Sequence, residues 1–178
     1  GDARFCGTTA SMCGVEKAGF EGDDVAMERA VQMDLMLHAY MFMQSGIPVL
    51  YSGDEIGQVN DYHYKEDLYK AADSRYIHRG PMNWKLVANI KNGNTVEGKI
   101  FQGLKKLEQI RKTEKVFVSY ADTWTVDTGD TSVLCIGRYY DGEKVYGVFN
   151  FSEFDKTAWL SGVSGEAIEL LSGNKMKL

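Results

Sequence analysis

A long helical pattern that stops on a glycine and gives way at once to a short apolar run constrains this chain more than any other feature. Residues 23–44 carry the helical period: Met33, Met36, Leu37, Tyr40 and Met41 recur at i, i+3, i+4, i+7 and i+8, which puts them on one face. Asp23 or Asp24 can cap the start, and Gly46 supplies the stop. Residues 47–51, with Val49, Leu50 and Tyr51, form a continuous apolar run bounded by glycines. That is the pattern of a strand buried on both faces of a parallel sheet, and Pro48 suits its beginning rather than its centre. The second half of the helix is almost wholly apolar, so it is expected to press on that sheet with its methionines as core filler.

A polar, tyrosine-rich stretch follows, residues 57–94; connections of that length are functional or locally structured. Thr95 can then cap a second helix, whose Val96, Ile100, Leu104, Leu107 and Ile110 make an apolar stripe as far as about Lys112. Helix, buried strand, long loop and helix is the rhythm of a β/α barrel or an open α/β sheet. Beyond Glu114 the character changes to short β-rich runs at 116–120, 123–126, 132–140, 144–151, 157–160 and 166–171. Asp141-Gly142 between two of them is a strong hairpin signal, because the glycine accepts positive φ. The expected fold class is α+β, with a small antiparallel β domain at the end.

The bulk numbers exclude several function classes. A net charge of -5 and a pI near 5.2 argue against a nucleic-acid surface, which needs clustered cations to displace counterions from phosphates. Lys105, Lys106, Arg111 and Lys112 gather locally, and the expectation for them is a solvated helix face. Cys6, Cys13 and Cys135 show no C-x-x-C or Cys/His spacing, so they read as reduced thiols, which favours a cytoplasmic setting. His38, His63 and His78 are too dispersed for a zinc site. No metal is expected. There is no apolar run of the roughly 18 residues that a membrane span requires. The chain opens on Gly1-Asp2-Ala3-Arg4 rather than Met, and the expectation is a fragment of a longer protein.

Asp54 and Glu55, at the end of the apolar run, invite a catalytic reading. Glycoside hydrolysis uses two carboxyl groups about 5 to 10 Å apart on opposite sides of the scissile bond. Neighbouring residues on an extended segment point to opposite sides of it, so this pair is poorly placed to share one sugar ring. The expected role is to fix the loop after the strand by accepting hydrogen bonds from backbone N–H groups or from an arginine.

The run GIPVLYSGDEIG (residues 46–57) resembles the segment at the eighth barrel strand of α-amylase-type glycoside hydrolases. ADSRYIHRGPMNW (72–84) is similar to the D-S-R-x-x-H-R block, followed by Met and Trp, of amylosucrases within that family. GDARFCGTTASMCG (1–14) resembles the amylosucrase segment before the seventh barrel helix, and GVFNFSE (147–153) a turn of the C-terminal β domain. Residues 16–24 are longer than the matching amylosucrase loop. The resemblance implies that residues 1–116 are the C-terminal part of a catalytic (β/α)8 TIM barrel, the last strand and its flanking helices. Residues 117–178 would be an antiparallel β-sandwich domain, with truncation of that domain among the expectations.

It further implies a retaining glucosyltransferase or hydrolase acting on sucrose and α-1,4-glucans, without an organic cofactor. Its nucleophilic aspartate, acid glutamate and second aspartate sit at the ends of the fourth, fifth and seventh strands, all ahead of Gly1. Arg75 matches the arginine that closes the base of the glucosyl pocket by pairing with an acid from another loop, and Arg4 an arginine near the fructosyl subsite. Asp54 and Glu55 match a structural strand end. A sucrose hydrolase and a trehalose-synthase-like isomerase share the barrel end, and a non-catalytic carbohydrate-binding module is the alternative of another class. Trp84, Trp124 and Trp159 are expected to pack rather than to stack on sugars. Self-association of the fragment is expected, since a cut barrel exposes strand edges.

Overall fold

The computed structural model describes residues 6–178. Among them the helices are α1 (Thr9–Cys13), α2 (Val15–Glu21), α3 (Asp24–Met43), α4 (Trp84–Val87) and α5 (Val96–Thr113). The strands are β1 (Asp122–Val126), β2 (Val133–Tyr140), β3 (Glu143–Asn150), β4 (Glu166–Ile168) and β5 (Lys175–Lys177). Strands β1, β2 and β3 form an antiparallel sheet in that order, and β4 pairs with β5 in a second one. The fold is therefore mixed α and β with small antiparallel sheets, and the described residues contain no barrel. No helix among them is long and apolar enough to cross a membrane. The chain divides into two compact units, one holding the residues up to Leu37 with Val49–Leu104, the other His38–Pro48 with Lys105–Leu178.

In the first unit α3 begins where its cap demands. The Asp23 carboxylate accepts from the N–H groups of Val25 at 3.0 Å and Ala26 at 2.9 Å, satisfying two of the helix's orphan donors. Helix α5 starts in the same way, with Thr95 Oγ1 accepting from Gly98 N–H at 3.1 Å. Its stripe is buried at Ile100 and Leu104, and Ala10, Val15 and Ala30 pack with Met27 and Val96 into a further cluster. Between these helices the chain is locally structured by 3₁₀ turns at Asp54–Ile56, His63–Glu66 and Ser74–His78.

Two expectations fail here. Along α3 the buried positions are Ala30, Asp34, His38 and Phe42, spaced four apart, with Val31 and Met43, whereas Met33 and Tyr40 reach the surface. A helix that is apolar nearly all round gives periodicity no face to choose, so polar residues occupy the buried stripe. The run 47–51 forms no strand, and Ile47 and Val49 are 90% and 75% exposed. A strand buried on both faces needs a neighbour on each side, the described residues supply neither, and Pro48 has no N–H to begin a ladder.

In the second unit the β2–β3 hairpin turns at Asp141 (φ 48°) and Gly142 (φ 83°), with Tyr140 opposite Glu143. Positive φ at both central residues is the geometry that matches strand twist in a two-residue turn. Val133, Cys135 and Phe149 are buried along these strands, and the edge of Phe149 meets Tyr40 at 5.7 Å between ring centres. Trp124 of β1 lies over Gly137 of β2 and meets Tyr146 edge to face at 6.1 Å. The packing role expected of the tryptophans holds for Trp124 but not for Trp84 or Trp159, which are largely exposed.

The buried polar centre of this unit is Arg138, with no exposed surface. It donates from Nε to Val116 O at 3.0 Å, from Nη1 to Met43 O at 2.9 Å and from Nη2 to Val118 O at 2.9 Å. Arg111 donates to the carbonyls of Phe42, Gln44 and Gly46, and both guanidinium groups lie over the Phe117 ring, at 5.6 Å for Arg111 and 5.5 Å for Arg138. Together they supply donors and positive charge to the C-terminal carbonyls of α3, which have no partners within the helix. Arg111 is thus not part of a solvated face, although Lys105, Lys106 and Lys112 are exposed.

The same arginine explains why 116–120 is not a strand. Two of its carbonyls are taken by Arg138, and the chain turns at Lys115–Phe117 instead. Residues 157–160 also form none: Trp159 N–H bonds Thr128 O at 3.2 Å and Ser161 N–H bonds Asp127 O at 3.1 Å, which are contacts to a turn rather than to a strand. The last run ends as β4 and pairs with β5, a three-residue strand too short and too charged to be visible as alternation.

Candidate functional site

Three segments singled out in the sequence converge within the first unit. Asn60, three residues beyond the second, holds the first: its Oδ1 accepts from Thr8 N–H at 2.9 Å, its N–H donates to Ser11 Oγ at 2.9 Å, and its Nδ2 donates to Glu16 Oε2 at 3.2 Å. Gln58, the residue after the second, holds the third, donating from Nε2 to Pro81 O at 3.3 Å and accepting from Asn83 N–H at 3.0 Å. Tyr51 meets the His78 ring edge to face at 5.5 Å, and Cys6 Sγ lies 3.5 Å from Ser74 Oγ. Side-chain amides are suited to this work, since each offers donors and an acceptor without the desolvation cost of a charge.

Asp54 and Glu55 sit in a 3₁₀ turn between Gly53 and Gly57. Asp54 Oδ2 accepts from Tyr51 N–H at 3.0 Å, and Glu55 Oε2 accepts from Gly53 N–H at 2.8 Å. Gly57 closes the turn with φ 61°, and its own N–H donates to Asp54 O at 3.1 Å. A β-carbon there would stand 2.5 Å from Ile100 Cδ1, so both the left-handed backbone and the close approach of α5 call for glycine. The carboxylate of Asp54 has a further effect. Burial first, then the negative charges of Asp34 and Asp54, push the Cys13 thiol up to about 12, so Cys13 is no thiolate nucleophile at neutral pH.

Arg75 follows Asp73, the N-cap of its 3₁₀ turn. It donates from Nε to Asp73 Oδ1 at 2.8 Å and Oδ2 at 3.0 Å, and from Nη2 to Oδ2 at 2.6 Å, a fork that fixes the plane of the guanidinium. This described acid belongs to the same loop, where the resemblance implies one from another loop. Arg4 lies outside the described residues. The sequence reading gives no site role to His78, whose Nδ1 is buried and without a hydrogen-bond partner among the described residues, nor to Asn60 and Gln58. The signal for the amides was present only in three dimensions, because their partners lie up to 52 residues away.

Among the described residues no group of three or more His, Cys, Asp or Glu side chains is placed to hold a metal. The chain matches no protein-family model. What the arrangement offers chemically is a polar wall, held by amide clamps, that presents an oriented arginine and neutral hydrogen-bonding groups.

Proposed function

We propose that this chain is the C-terminal part of an amylosucrase-like retaining glucosyltransferase or hydrolase acting on sucrose and α-1,4-glucans. Residues 1–116 are then the end of the catalytic (β/α)8 barrel, and 117–178 belong to the β-sandwich behind it. One observation carries the reading: of the stretches on which the resemblance rests, 46–57 meets 72–84 at Tyr51 and His78, 1–14 meets 72–84 at Cys6 and Ser74, and Gln58 and Asn60, just beyond the second, bond to the third and the first.

In this reading the reaction is double displacement, with its three carboxyl groups on strand ends that precede the first matched segment. Arg75 stays rigid beneath the glucosyl unit because Asp73 holds its fork, and a planar, permanently charged group suits a neutral, hydroxyl-bearing ring. Transfer and hydrolysis then divide according to whether an acceptor hydroxyl or water captures the glucosyl-enzyme intermediate.

The test is sucrose turnover by the natural gene product carrying Arg75→Ala. Loss of a charged hydrogen bond to substrate should lower kcat/KM by about ten- to a hundredfold, and Arg75→Lys should not restore it, because an ammonium cannot reproduce the fork. A variant as active as the parent would remove Arg75 from the pocket.

A further inference from the structure

The turn that leads into α5 holds the chain's only Asn-Gly step, Asn92-Gly93. Asn92, Gly93 and Asn94 are all exposed, yet the backbone of Asn92 is held on both sides. Its N–H donates to Asn89 O at 2.8 Å, and its carbonyl accepts from Thr95 N–H at 3.1 Å and from Thr95 Oγ1 at 3.0 Å. The same carbonyl lies against Gly98, where a β-carbon would stand 1.8 Å from it. Thr95 in turn caps α5, so the start of the helix depends on where this one carbonyl sits.

The side chain of Asn92 bends forward along the chain. Its Oδ1 accepts from Asn94 N–H at 3.1 Å, an Asx turn, and the ring closed by that bond contains the Gly93 nitrogen. The carboxamide carbon is thereby held on the side of the nitrogen that can attack it, and the Asn94 N–H is aimed at the oxygen on which negative charge would develop. Gly93 has no side chain to shield its nitrogen, accepts the backbone angles of a closed ring, and donates its N–H to no group among the described residues. Asn83 and Asn150 form the same turn, their Oδ1 atoms accepting from Lys85 N–H at 3.2 Å and from Ser152 N–H at 2.9 Å. They are followed by Trp84 and Phe151, whose side chains crowd the attacking nitrogen, and Asn150 Nδ2 is further tied to Phe154 O at 2.8 Å.

We propose that Asn92 is a self-modifying site, which loses its amide through a cyclic imide and whose ring opening resets the start of α5. The bond between the Gly93 nitrogen and Asn92 Cγ forms, the Cγ–Nδ2 bond breaks, and ammonia leaves with the proton that Gly93 gives up. Water then opens the imide at either carbonyl, so the sequence needs no oxidant or reductant. Opening at Cγ gives aspartate, a negative charge ahead of the α5 N-terminus that the helix dipole favours. Opening at the other carbonyl gives isoaspartate: the chain then runs through Cγ, and the acceptor of both Thr95 bonds becomes a carboxylate off the main chain. The inference rests on this turn alone and is independent of the glucosyl-transfer reading.

The experiment incubates the full 178-residue chain at neutral pH, folded and in urea, and follows each asparagine by peptide mass mapping. In the folded chain Asn92 should convert about tenfold faster than Asn83 or Asn150 and no slower than it does in urea, and Gly93→Ala should slow it about tenfold. The isoaspartyl fraction, separated by ion exchange, should exchange the amide hydrogens of Thr95 and Gly98 faster than the parent. Asn92→Asp, which adds the charge without lengthening the backbone, should protect them at least as well as the parent. Faster conversion in urea, an equal rate at Asn83 or Asn150, an unchanged rate in Gly93→Ala, or unchanged exchange in the isoaspartyl fraction would each overturn the proposal.

Discussion

Removing the guanidinium of Arg138 would take its donors from the carbonyls of Val116 and Met43, and from that of Val118, which keeps the Ala121 N–H at 3.1 Å. Arg138→Met is expected to cost about 3 kcal/mol, because a buried acceptor without a donor loses its hydration uncompensated. Arg138→Lys should recover little, since a single ammonium cannot address carbonyls in three directions. Urea unfolding of the three proteins measures both, and equal stability of wild type and Arg138→Met would contradict the role. A second test at this scale concerns Asp130. The Ser132 hydroxyl, then the Ser132 N–H and Lys156, hold its carboxyl down to about 2. The sign follows directly: a depressed carboxyl contributes stability above its ordinary pKa near 3.9, and that contribution disappears as pH falls through about 2. Ser132→Ala should raise the midpoint in a carboxyl-carbon NMR titration; an unchanged midpoint would refute the attribution.

Among the elements, α5 carries the clearest steric demand. A β-carbon at Gly98 would stand 1.8 Å from the Asn92 carbonyl oxygen, so Gly98→Ala forces backbone movement. The expected loss is about 2 kcal/mol, although alanine is intrinsically the better helix former by about 1 kcal/mol. A melting temperature that rises in this variant would show the close approach to be unimportant. Capping and turn chemistry were legible in the sequence wherever the signal is local: Asp23 starts α3, Thr95 starts α5 and Asp141-Gly142 turns the hairpin. The strand expected at 47–51 was misread because burial on both faces depends on neighbours that local sequence does not encode. The run 116–120 was misread because Arg138, distant in sequence, claims its carbonyls. For the candidate site, the acidic pair and Arg75 could be singled out from motifs. Asn60 and Gln58, which bind the wall together, carried no signal beyond being polar residues in a loop.

At the scale of the whole molecule, the exposed apolar run is the feature with the widest consequence. Ile47 and Val49 leave an extended, largely apolar segment open to solvent, and such segments seek partners. Light scattering across a concentration series should therefore show the 178-residue chain self-associating, and Ile47→Lys with Val49→Lys should shift it toward monomer. A monomer at every concentration would count against this. The central claim is that the wall formed by the three converging segments serves glucosyl transfer or hydrolysis on catalytic groups supplied by preceding sequence. It is tested most directly by fructose release from sucrose, measured side by side for the natural gene product and for the isolated 178-residue chain. The account predicts release by the former and none by the latter. Turnover by the isolated chain, or a natural gene product inert toward sucrose, would contradict it.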